Sequence, residues 1–183
     1  MLYIIRHGKT DWNSENKLQG KTDIPLNEEG REMAKRAADE YKDVHFDICF
    51  SSPLIRAKET AEILLEGRNI PIEYDERLEE MGFGIYEGSK DYFENAEYPL
   101  NLFFETPQDY KIPVIEGESM DELFKRTGDF LNEKVYPLLK EGKDVLIVGH
   151  GAMNCAIVCQ IKKKNLKDFW SDGIENCKLL RLF

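Results

Sequence analysis

The stretches LYIIRHG (residues 2–8) and DVLIVGHG (residues 144–151) decide the fold of this chain. Each contains a short apolar run that is typical of a buried strand and ends in a histidine next to glycine. Because glycine and polar residues interrupt regular structure, each stretch predicts a strand that passes into a loop at its histidine. The first strand is expected over Leu2 to Arg6 and the second over Asp144 to Val148.

The sequence between these two strands alternates helical and strand patterns. Asn27 is suited to cap a helix of about four turns that follows it. Residues 47–51 and 71–74 predict two further strands. Pro53 is expected at the first position of the helix between them, because proline tolerates that position well.

The second half of the chain continues the alternation. A capping box at Ser119–Glu122 opens a helix that is predicted to reach about Lys140, with a kink before Pro137. A helix over residues 152–161 and a last strand over residues 179–183 complete the pattern. This order of elements predicts an α/β fold with three layers (α/β/α) around a mostly parallel central sheet.

The domain organisation is simple. The chain has 183 residues, enough for one core, and it shows no internal repeat or linker, so residues 1–183 are expected to form a single domain. Residues 89–117 are the least regular part and hold six aromatic residues and three prolines, which predicts a packed, lid-like insertion. Its aromatic residues either line a specificity pocket for an organic group or form a small core of their own, and the small core is favoured because clustered aromatic residues usually bury one another.

Composition and charge limit the classes of partner. The formal net charge is −10, so a broad electrostatic surface for nucleic acid or anionic lipid is not expected. The N-terminus lacks a secretory pattern and no apolar run is long enough for a membrane span, which predicts a cytoplasmic protein. Four cysteines without metal-ligand spacing predict buried free thiols and no metal site: Cys49, Cys155, Cys159 and Cys177.

Four basic or imidazole side chains are predicted to meet at one edge of the sheet. His7 and His150 leave the carboxyl ends of their strands, which is where parallel sheets bind ligands. Arg6 precedes His7, and Arg56 opens the helix after the second strand. A guanidinium matches two phosphate oxygens at once, so this set in an acidic protein indicates a pocket for a dianion. His45 is expected to be a solvated loop residue.

Seven stretches match one known family in its own order along the chain. They are IRHGKTDWN (5–13), LQG (18–20), DIPLN (23–27), SSPLIRA with ET (51–60), LEEMGFGIYEG (78–88), GES (117–119) and VGHG (148–151). With these stretches the chain resembles the histidine phosphatase superfamily, also called the phosphoglycerate mutase-like family. The resemblance implies the fold of that family and a covalent phosphoryl transfer.

The resemblance assigns a role to each catalytic candidate. His7 is implied to attack phosphorus and become phosphohistidine, while Arg6, Arg56 and His150 bind the equatorial oxygens. Glu80 matches the family's proton donor, which protonates the leaving alcohol and then activates water. No metal or other cofactor is implied, because the arginines supply the positive charge that magnesium supplies in many phosphoryl-transfer enzymes.

Five further residues are implied to bind the phosphoryl group of the substrate. The side chains of Asn13 and Gln19 match family positions that form hydrogen bonds to it. Glycine lets backbone N–H groups approach an anion closely, which gives Gly8, Gly20 and Gly151 their expected role.

Two positions depart from the usual family pattern. Lys9 stands where Glu or Gln is common, and we expect it to add a positive charge near the mouth of the pocket. Glu79 stands before the acid Glu80 where Arg is frequent, so two carboxylates adjoin. Glu79 is expected to point to solvent.

Within the family, the phosphatase branch fits better than the mutase branch. Mutases are longer and usually carry a different sequence around the acid, and a mutase must shield phosphohistidine from water. The alternatives are a 2,3-bisphosphoglycerate-dependent phosphoglycerate mutase and a non-catalytic phospholigand-binding protein. The expected substrate is a small phosphorylated metabolite. A sugar phosphate, phosphoserine, phosphoglycerate and α-ribazole phosphate all stay open, as does the oligomeric state.

Overall fold

A five-stranded sheet forms the centre of the fold. The computed structural model describes residues 1–90, 100–111 and 114–183. The strands of the sheet are β1 (Leu2–Arg6), β2 (Ile48–Ser51), β3 (Ile72–Tyr74), β4 (Val145–Gly149) and β5 (Leu179–Arg181). The order across the sheet is β3-β2-β4-β1-β5. The first four strands run parallel, and β5 pairs antiparallel with β1 at the edge. The predicted mostly parallel sheet is therefore confirmed.

Helices cover both faces of the sheet, because successive strand side chains point to opposite faces. On one face, Ile5 and Val148 pack in a core cluster with alanines of α2 (Glu28–Glu40) and α3 (Ile55–Leu64). On the other face, Ile4 and Ile147 pack with residues of α5 (Met120–Phe130) and α7 (Gly151–Lys162). The strands β1 and β4 are buried on both sides, as their continuous apolar runs predict.

The start of α3 differs from the prediction. Asn27 caps α2 as predicted, with its side chain accepting the N–H of Gly30 at 2.8 Å. Pro53, however, is not the first helical residue of α3, because that helix begins at Ile55 with Leu54 as its N-cap. The N–H of Ile55 is instead satisfied by the Asp23 side chain at 2.7 Å.

The long helix of the second half is interrupted. Ser119 and Glu122 form the predicted capping box at the start of α5. A π-helical segment (Leu131–Val135) then separates α5 from α6 (Tyr136–Lys140). Pro137 lies in the first turn of α6, where its missing N–H costs little. A π-helical segment thus stands just before Pro137, at the place where the sequence predicted a kink.

Two short helices were not predicted. The polar loop after β1 contains α1 (Asp11–Ser14), which Thr10 caps. Within the predicted insertion, α4 (Asn101–Glu105) is followed by a 3₁₀ turn. Residues 91–99 and 112–113 lie outside the described part of the chain, so the lid prediction for residues 89–117 stays a prediction.

Three further expectations can be compared with the described residues. All four cysteines are buried and free, as predicted. Among the described aromatic residues of the insertion, Phe103 and Tyr110 are buried in the main core, whereas Phe104 packs against that core and lines the cavity described below. Tyr92, Phe93 and Tyr98 lie outside the described residues. None of the helices in the described ranges is both long and apolar enough to cross a bilayer.

Candidate active site

His7 and His150 come together at the carboxyl ends of two adjacent strands. Parallel pairing of β1 with β4 sets Arg6 opposite Gly149, and the N–H of His7 donates to the Gly149 carbonyl at 3.0 Å. The two imidazole centroids are 5.1 Å apart. The register of one strand pair thus joins two motifs that are more than 140 residues apart in the sequence.

A cavity of about 260 Å³ opens beside His7. Eight of the ten predicted site residues line it: Arg6, His7, Asn13, Gln19, Gly20, Arg56, Glu80 and Gly151. Its other lining residues are Lys17, Leu18, Phe83, Phe104, Ala152 and Trp170. The other two predicted site residues, His150 and Gly8, are buried and do not line the cavity.

The imidazole of His7 is held in one tautomer. Its Nδ1 lies 2.6 Å from the carbonyl oxygen of Gly8. A carbonyl only accepts, so Nδ1 carries the proton and Nε2 has a free lone pair. The carbonyl of His7 also accepts from Asn176 Nδ2 at 2.6 Å, which fixes the backbone of the same residue.

The surroundings keep His7 and His150 neutral. Burial lowers the pKa of His7 well below its ordinary value, and the positive charges of Arg56 and Arg6 lower it further. The pKa of His150 is lowered well below its ordinary value by burial and then by Arg56 and His7. Each shift opposes the charged imidazolium, so His7 presents an unprotonated nitrogen at neutral pH.

Three buried nitrogen atoms around His7 have no hydrogen-bond partner among the described residues. They are Arg6 Nε, Arg56 Nε and His150 Nδ1. Buried polar groups without partners are rare, because each costs desolvation energy. Two guanidinium groups and an imidazole with unused nitrogen atoms therefore suit an acceptor-rich ligand in the cavity.

Arg56 is anchored by the loop that also carries Gln19. The side chain of Arg56 is fully buried, and it donates to the carbonyls of Gly20 at 2.7 Å and Thr22 at 2.9 Å. Burial lowers the pKa of Arg56 to about 10, with the nearby carboxylate of Glu80 opposing that shift. The guanidinium stays charged at neutral pH and is fixed in direction by two carbonyls.

His150 is oriented by Ser52. Its Nε2 lies 2.8 Å from Ser52 Oγ, and that oxygen also accepts the N–H of Leu54 at 3.2 Å. With its oxygen already accepting from Leu54, the Ser52 hydroxyl is free to donate its own proton to Nε2. Nδ1 of a neutral His150 then carries the proton and serves as a donor.

Glu80 lies at the N-terminus of α7. Its Oε1 accepts from the N–H groups of Met81 at 2.9 Å and Met153 at 3.0 Å, and its Oε2 accepts from Ala152 at 3.2 Å. Two of these donors belong to the first turn of the helix, whose dipole favours negative charge there. The carboxylate is only 9% exposed and lines the cavity.

Two charged residues that adjoin the site residues in the sequence, Glu79 and Lys9, do not line the cavity. Glu79 does not line the cavity and lies 3.6 Å from the ammonium of Lys21. Its side chain is only about a quarter exposed, so it points away from the cavity but is not fully in solvent as predicted. The expectation for Lys9 is wrong: its ammonium binds Glu29 at 2.6 Å, and it does not line the cavity.

Thr10 organises the two amide side chains. It donates its hydroxyl to Gln19 Oε1 at 2.9 Å, and Asn13 Oδ1 accepts the Thr10 N–H at 3.1 Å. With both amide oxygens used by Thr10, the NH₂ groups of Asn13 and Gln19 serve as the donors for a ligand.

The three glycines have different surroundings. Gly8 does not line the cavity, and its N–H already donates to Thr60 Oγ1 at 3.0 Å, so Gly8 supports His7 instead of offering a donor to the ligand. Gly20 has a φ of +56° and supplies the carbonyl that holds Arg56. Gly151 borders the cavity where a Cβ would lie 3.5 Å from Glu80 Oε2.

Sequence reasoning missed several residues of the site. Phe83, Phe104 and Trp170 line the cavity. Phe83 lies within the matched stretch 78–88, and Phe104 is one of the insertion aromatics for which a pocket was the less favoured alternative, whereas nothing in the local sequence separates Trp170 from an ordinary core aromatic. Thr60 and Ser52 act through His7 and His150, and both lie within the matched stretch 51–60, so the motif contained a signal for them.

The chain is similar to known proteins over most of its length. The family model of the histidine phosphatase superfamily (branch 1) matches residues 2–182. The uncharacterized phosphatase PhoE of Bacillus subtilis is 38% identical over 86% of this chain and 75% of its own. A 2,3-bisphosphoglycerate-dependent phosphoglycerate mutase of Cytophaga hutchinsonii is 33% identical over 92% of this chain and 80% of its own.

A solved structure has the same fold. The phosphoserine phosphatase of Entamoeba histolytica, crystallised with 3-phosphoglyceric acid, superposes with a TM-score of 0.83 and 28% identity. The match covers 97% of this chain and 87% of that one. The named phosphatases among the relatives support a phosphomonoester hydrolase. The chain belongs to branch 1 of the histidine phosphatase superfamily.

Proposed function

We propose that this protein hydrolyses small phosphomonoesters without a metal, through a phosphohistidine formed on His7. One observation carries the proposal: His7, whose Nε2 is unprotonated, lies beside Arg6, Arg56 and His150, and each of these three has a buried nitrogen atom without a partner among the described residues. A phosphoryl group has the acceptor oxygens that these nitrogen atoms need, and it has the phosphorus that a neutral imidazole attacks.

The first step transfers the phosphoryl group to the protein. The lone pair of His7 Nε2 forms a bond to phosphorus while the bond from phosphorus to the alcohol oxygen breaks. Arg6 and Arg56 stabilise the charge on the equatorial oxygens. Glu80 gives its proton to the leaving oxygen; Oε2, which accepts a single backbone N–H, is the oxygen with room for that proton.

The second step returns the protein to its starting state. Glu80, now a carboxylate, takes a proton from water, and the water oxygen bonds to phosphorus while the bond to His7 Nε2 breaks. Inorganic phosphate leaves and Glu80 is protonated again. The three backbone donors on Glu80 stabilise its charge between the two steps.

A mutase is the second candidate, favoured by the similarity to a named phosphoglycerate mutase. Both activities need the same phosphohistidine, and they differ in whether water or a phosphoglycerate receives the group. The sequence around Glu80 fits the phosphatase branch better. A binding protein is disfavoured because His7 and Glu80 are both present and both line the cavity.

Two assays test the proposal. The first measures phosphate release from a panel of small phosphomonoesters in the presence of EDTA, and the second measures interconversion of 2- and 3-phosphoglycerate. We expect metal-independent release without interconversion, and an acid-labile phosphoryl group on His7 that mass spectrometry detects after rapid quenching. Interconversion that a bisphosphate stimulates would establish the mutase instead.

The variant His7→Ala gives the decisive comparison. It is expected to lose phosphate release and the trapped phosphoryl group while keeping the thermal midpoint within a few degrees. His45→Ala is the matched control, because His45 is exposed and does not line the cavity. Hydrolysis by His7→Ala at the wild-type rate would disprove the covalent mechanism.

A further inference from the structure

The cavity has an aromatic wall, which we define as Phe83, Phe104 and Trp170. The catalytic groups account for the charged part of the lining, and the aromatic wall is used by no step of the reaction. We propose that the aromatic wall binds the alcohol portion of the substrate, so that the preferred substrates are monophosphates of apolar, ring-bearing alcohols. This inference rests on the proposed phosphatase activity.

The aromatic wall is held in place before a ligand arrives. Trp170 stacks on Phe104 with the ring centroids 5.7 Å apart and the planes 19° from parallel. The indole Nε1 of Trp170 donates to the carbonyl of Phe103 at 3.0 Å, so its polar atom is already used. Phe103 and Phe169 are fully buried and pack against Trp170 from within the core. Rings fixed in this way bind with little loss of conformational entropy.

The same segment fixes the aromatic wall relative to the nucleophile. A few residues after Trp170, the carbonyl of Ile174 accepts from Arg6 Nη1 at 3.3 Å. Asn176 Nδ2 donates to the carbonyl of His7 at 2.6 Å. The distance between the reacting phosphorus and the aromatic wall is therefore set by the fold and not by the substrate.

The charges along the cavity disfavour a second anionic group on the alcohol. The cations among the described lining residues are Arg6, Arg56 and Lys17. The two arginines serve the phosphoryl group, and the ammonium of Lys17 binds Glu15 at 2.7 Å. A carboxylate on the leaving group, as in phosphoserine or phosphoglycerate, would meet Glu80 without an unpaired cation in this part of the lining.

Matched substrates test the inference in the wild-type protein. Ethyl phosphate and 2-phenylethyl phosphate differ by one ring, while their leaving alcohols have similar acidity. We expect kcat/KM to be at least about tenfold higher for 2-phenylethyl phosphate, because burying a ring contributes several times the thermal energy. Phosphoserine is expected to fall below both.

Two variants locate the effect on the aromatic wall. Phe104→Leu and Trp170→Leu are each expected to lower kcat/KM for 2-phenylethyl phosphate by about fivefold to tenfold and to leave ethyl phosphate within about twofold. Phe124→Leu is the control, because Phe124 contacts Phe169 in the same aromatic cluster but does not line the cavity. Thermal midpoints show whether each variant is folded.

The outcomes separate this inference from the proposed function. Equal kcat/KM values for the two wild-type substrates, or a preference that survives in both aromatic-wall variants, would overturn the subsite and leave the phosphatase intact. A higher rate with phosphoserine than with 2-phenylethyl phosphate would also overturn it. Failure to hydrolyse any phosphomonoester, with no phosphoryl group on His7, would remove the proposed function and the subsite together.

Discussion

The Nδ1 atom of His7 lies 2.6 Å from the carbonyl oxygen of the next residue, Gly8. This contact determines the chemistry of the site, because it leaves the lone pair of the imidazole on Nε2. It also requires Gly8 to stay where it is. The N–H of Gly8 donates to Thr60 Oγ1, and that hydroxyl in turn donates to the Arg56 carbonyl at 2.7 Å.

We expect His7 and His150 to stay neutral well below pH 6.5. Their pKa values are lowered by burial and by nearby positive charge, so protons bind to them less readily in the folded protein than in the unfolded chain. Nitrogen-15 NMR of the two imidazoles, assigned with His7→Asn and His150→Asn, should show neutral rings at pH 6. A charged imidazole ring on either residue at pH 6 would contradict this expectation.

The same shifts predict how stability depends on pH. Below about pH 6.5 the unfolded chain takes up protons at these histidines and the folded protein does not. The free energy of unfolding should therefore be highest above that pH and fall as the pH decreases toward the folded pKa values. Urea titrations of wild type and of the double variant His7→Asn, His150→Asn test this, and the double variant should show the smaller decrease between pH 7 and pH 5.

Glu80→Gln should slow the transfer of phosphate from alkyl esters by about a hundredfold or more, because the amide of glutamine is too weak an acid to transfer a proton to the leaving oxygen. The rate of the first step should fall much less for an aryl ester, because its leaving group needs little protonation. The glutamine oxygen can replace Oε1 and accept from Met81 and Met153, whereas its NH₂ group cannot accept from Ala152, so the thermal midpoint of the variant is measured beside its kinetics. Glu79→Gln is the control; a larger loss in Glu79→Gln than in Glu80→Gln would move the acid role to Glu79.

Gly8→Ala should reduce both stability and activity. A Cβ on Gly8 would lie 2.5 Å from the carbonyl oxygen of Gly30. That oxygen belongs to the backbone and cannot rotate away as a side chain would, so the loop must shift. We expect a loss of about 1–3 kcal/mol in the free energy of unfolding, together with a large decrease in kcat as the Gly8 carbonyl leaves His7. At Gly82 a Cβ meets nothing closer than 3.7 Å, so Gly82→Ala should be near neutral in denaturant titrations.

Arg126 is expected to act as a positioning residue for Glu80. It donates to the carbonyls of Arg77 at 2.6 Å and Glu80 at 3.2 Å, and it pairs with Glu118 at 2.5 Å. Arg126→Gln should therefore lower kcat more for alkyl than for aryl esters, the same leaving-group signature as Glu80→Gln but smaller. Arg31→Gln removes another arginine–glutamate pair, with Glu59, outside the cavity and should show no such dependence.

Whether a feature of this chain can be predicted from its sequence depends on how far along the chain the determining contacts reach. Asn27 and the capping box at Ser119 were predicted correctly, because a cap is read from three or four neighbouring residues. Pro53 was placed wrongly, because the N–H of Ile55 is satisfied by Asp23, a residue 32 positions away. Lys9 was placed wrongly for a similar reason, since its partner Glu29 comes from another element.

The sequence by itself determined the alternation of strands and helices and the parallel sheet, and its motifs proposed His7, Arg56 and Glu80 for the site. These features follow from local patterns of polarity and from motifs at the ends of strands. The tertiary structure alone decided the tautomer of His7 and the aromatic wall of Phe83, Phe104 and Trp170. The tautomer depends on the carbonyl of the next residue, Gly8, which is held in place by Thr60 from another segment. The aromatic wall joins residues from three separate parts of the chain. Neither arrangement leaves a pattern in the order of the residues, because each forms only when those segments meet in the folded protein.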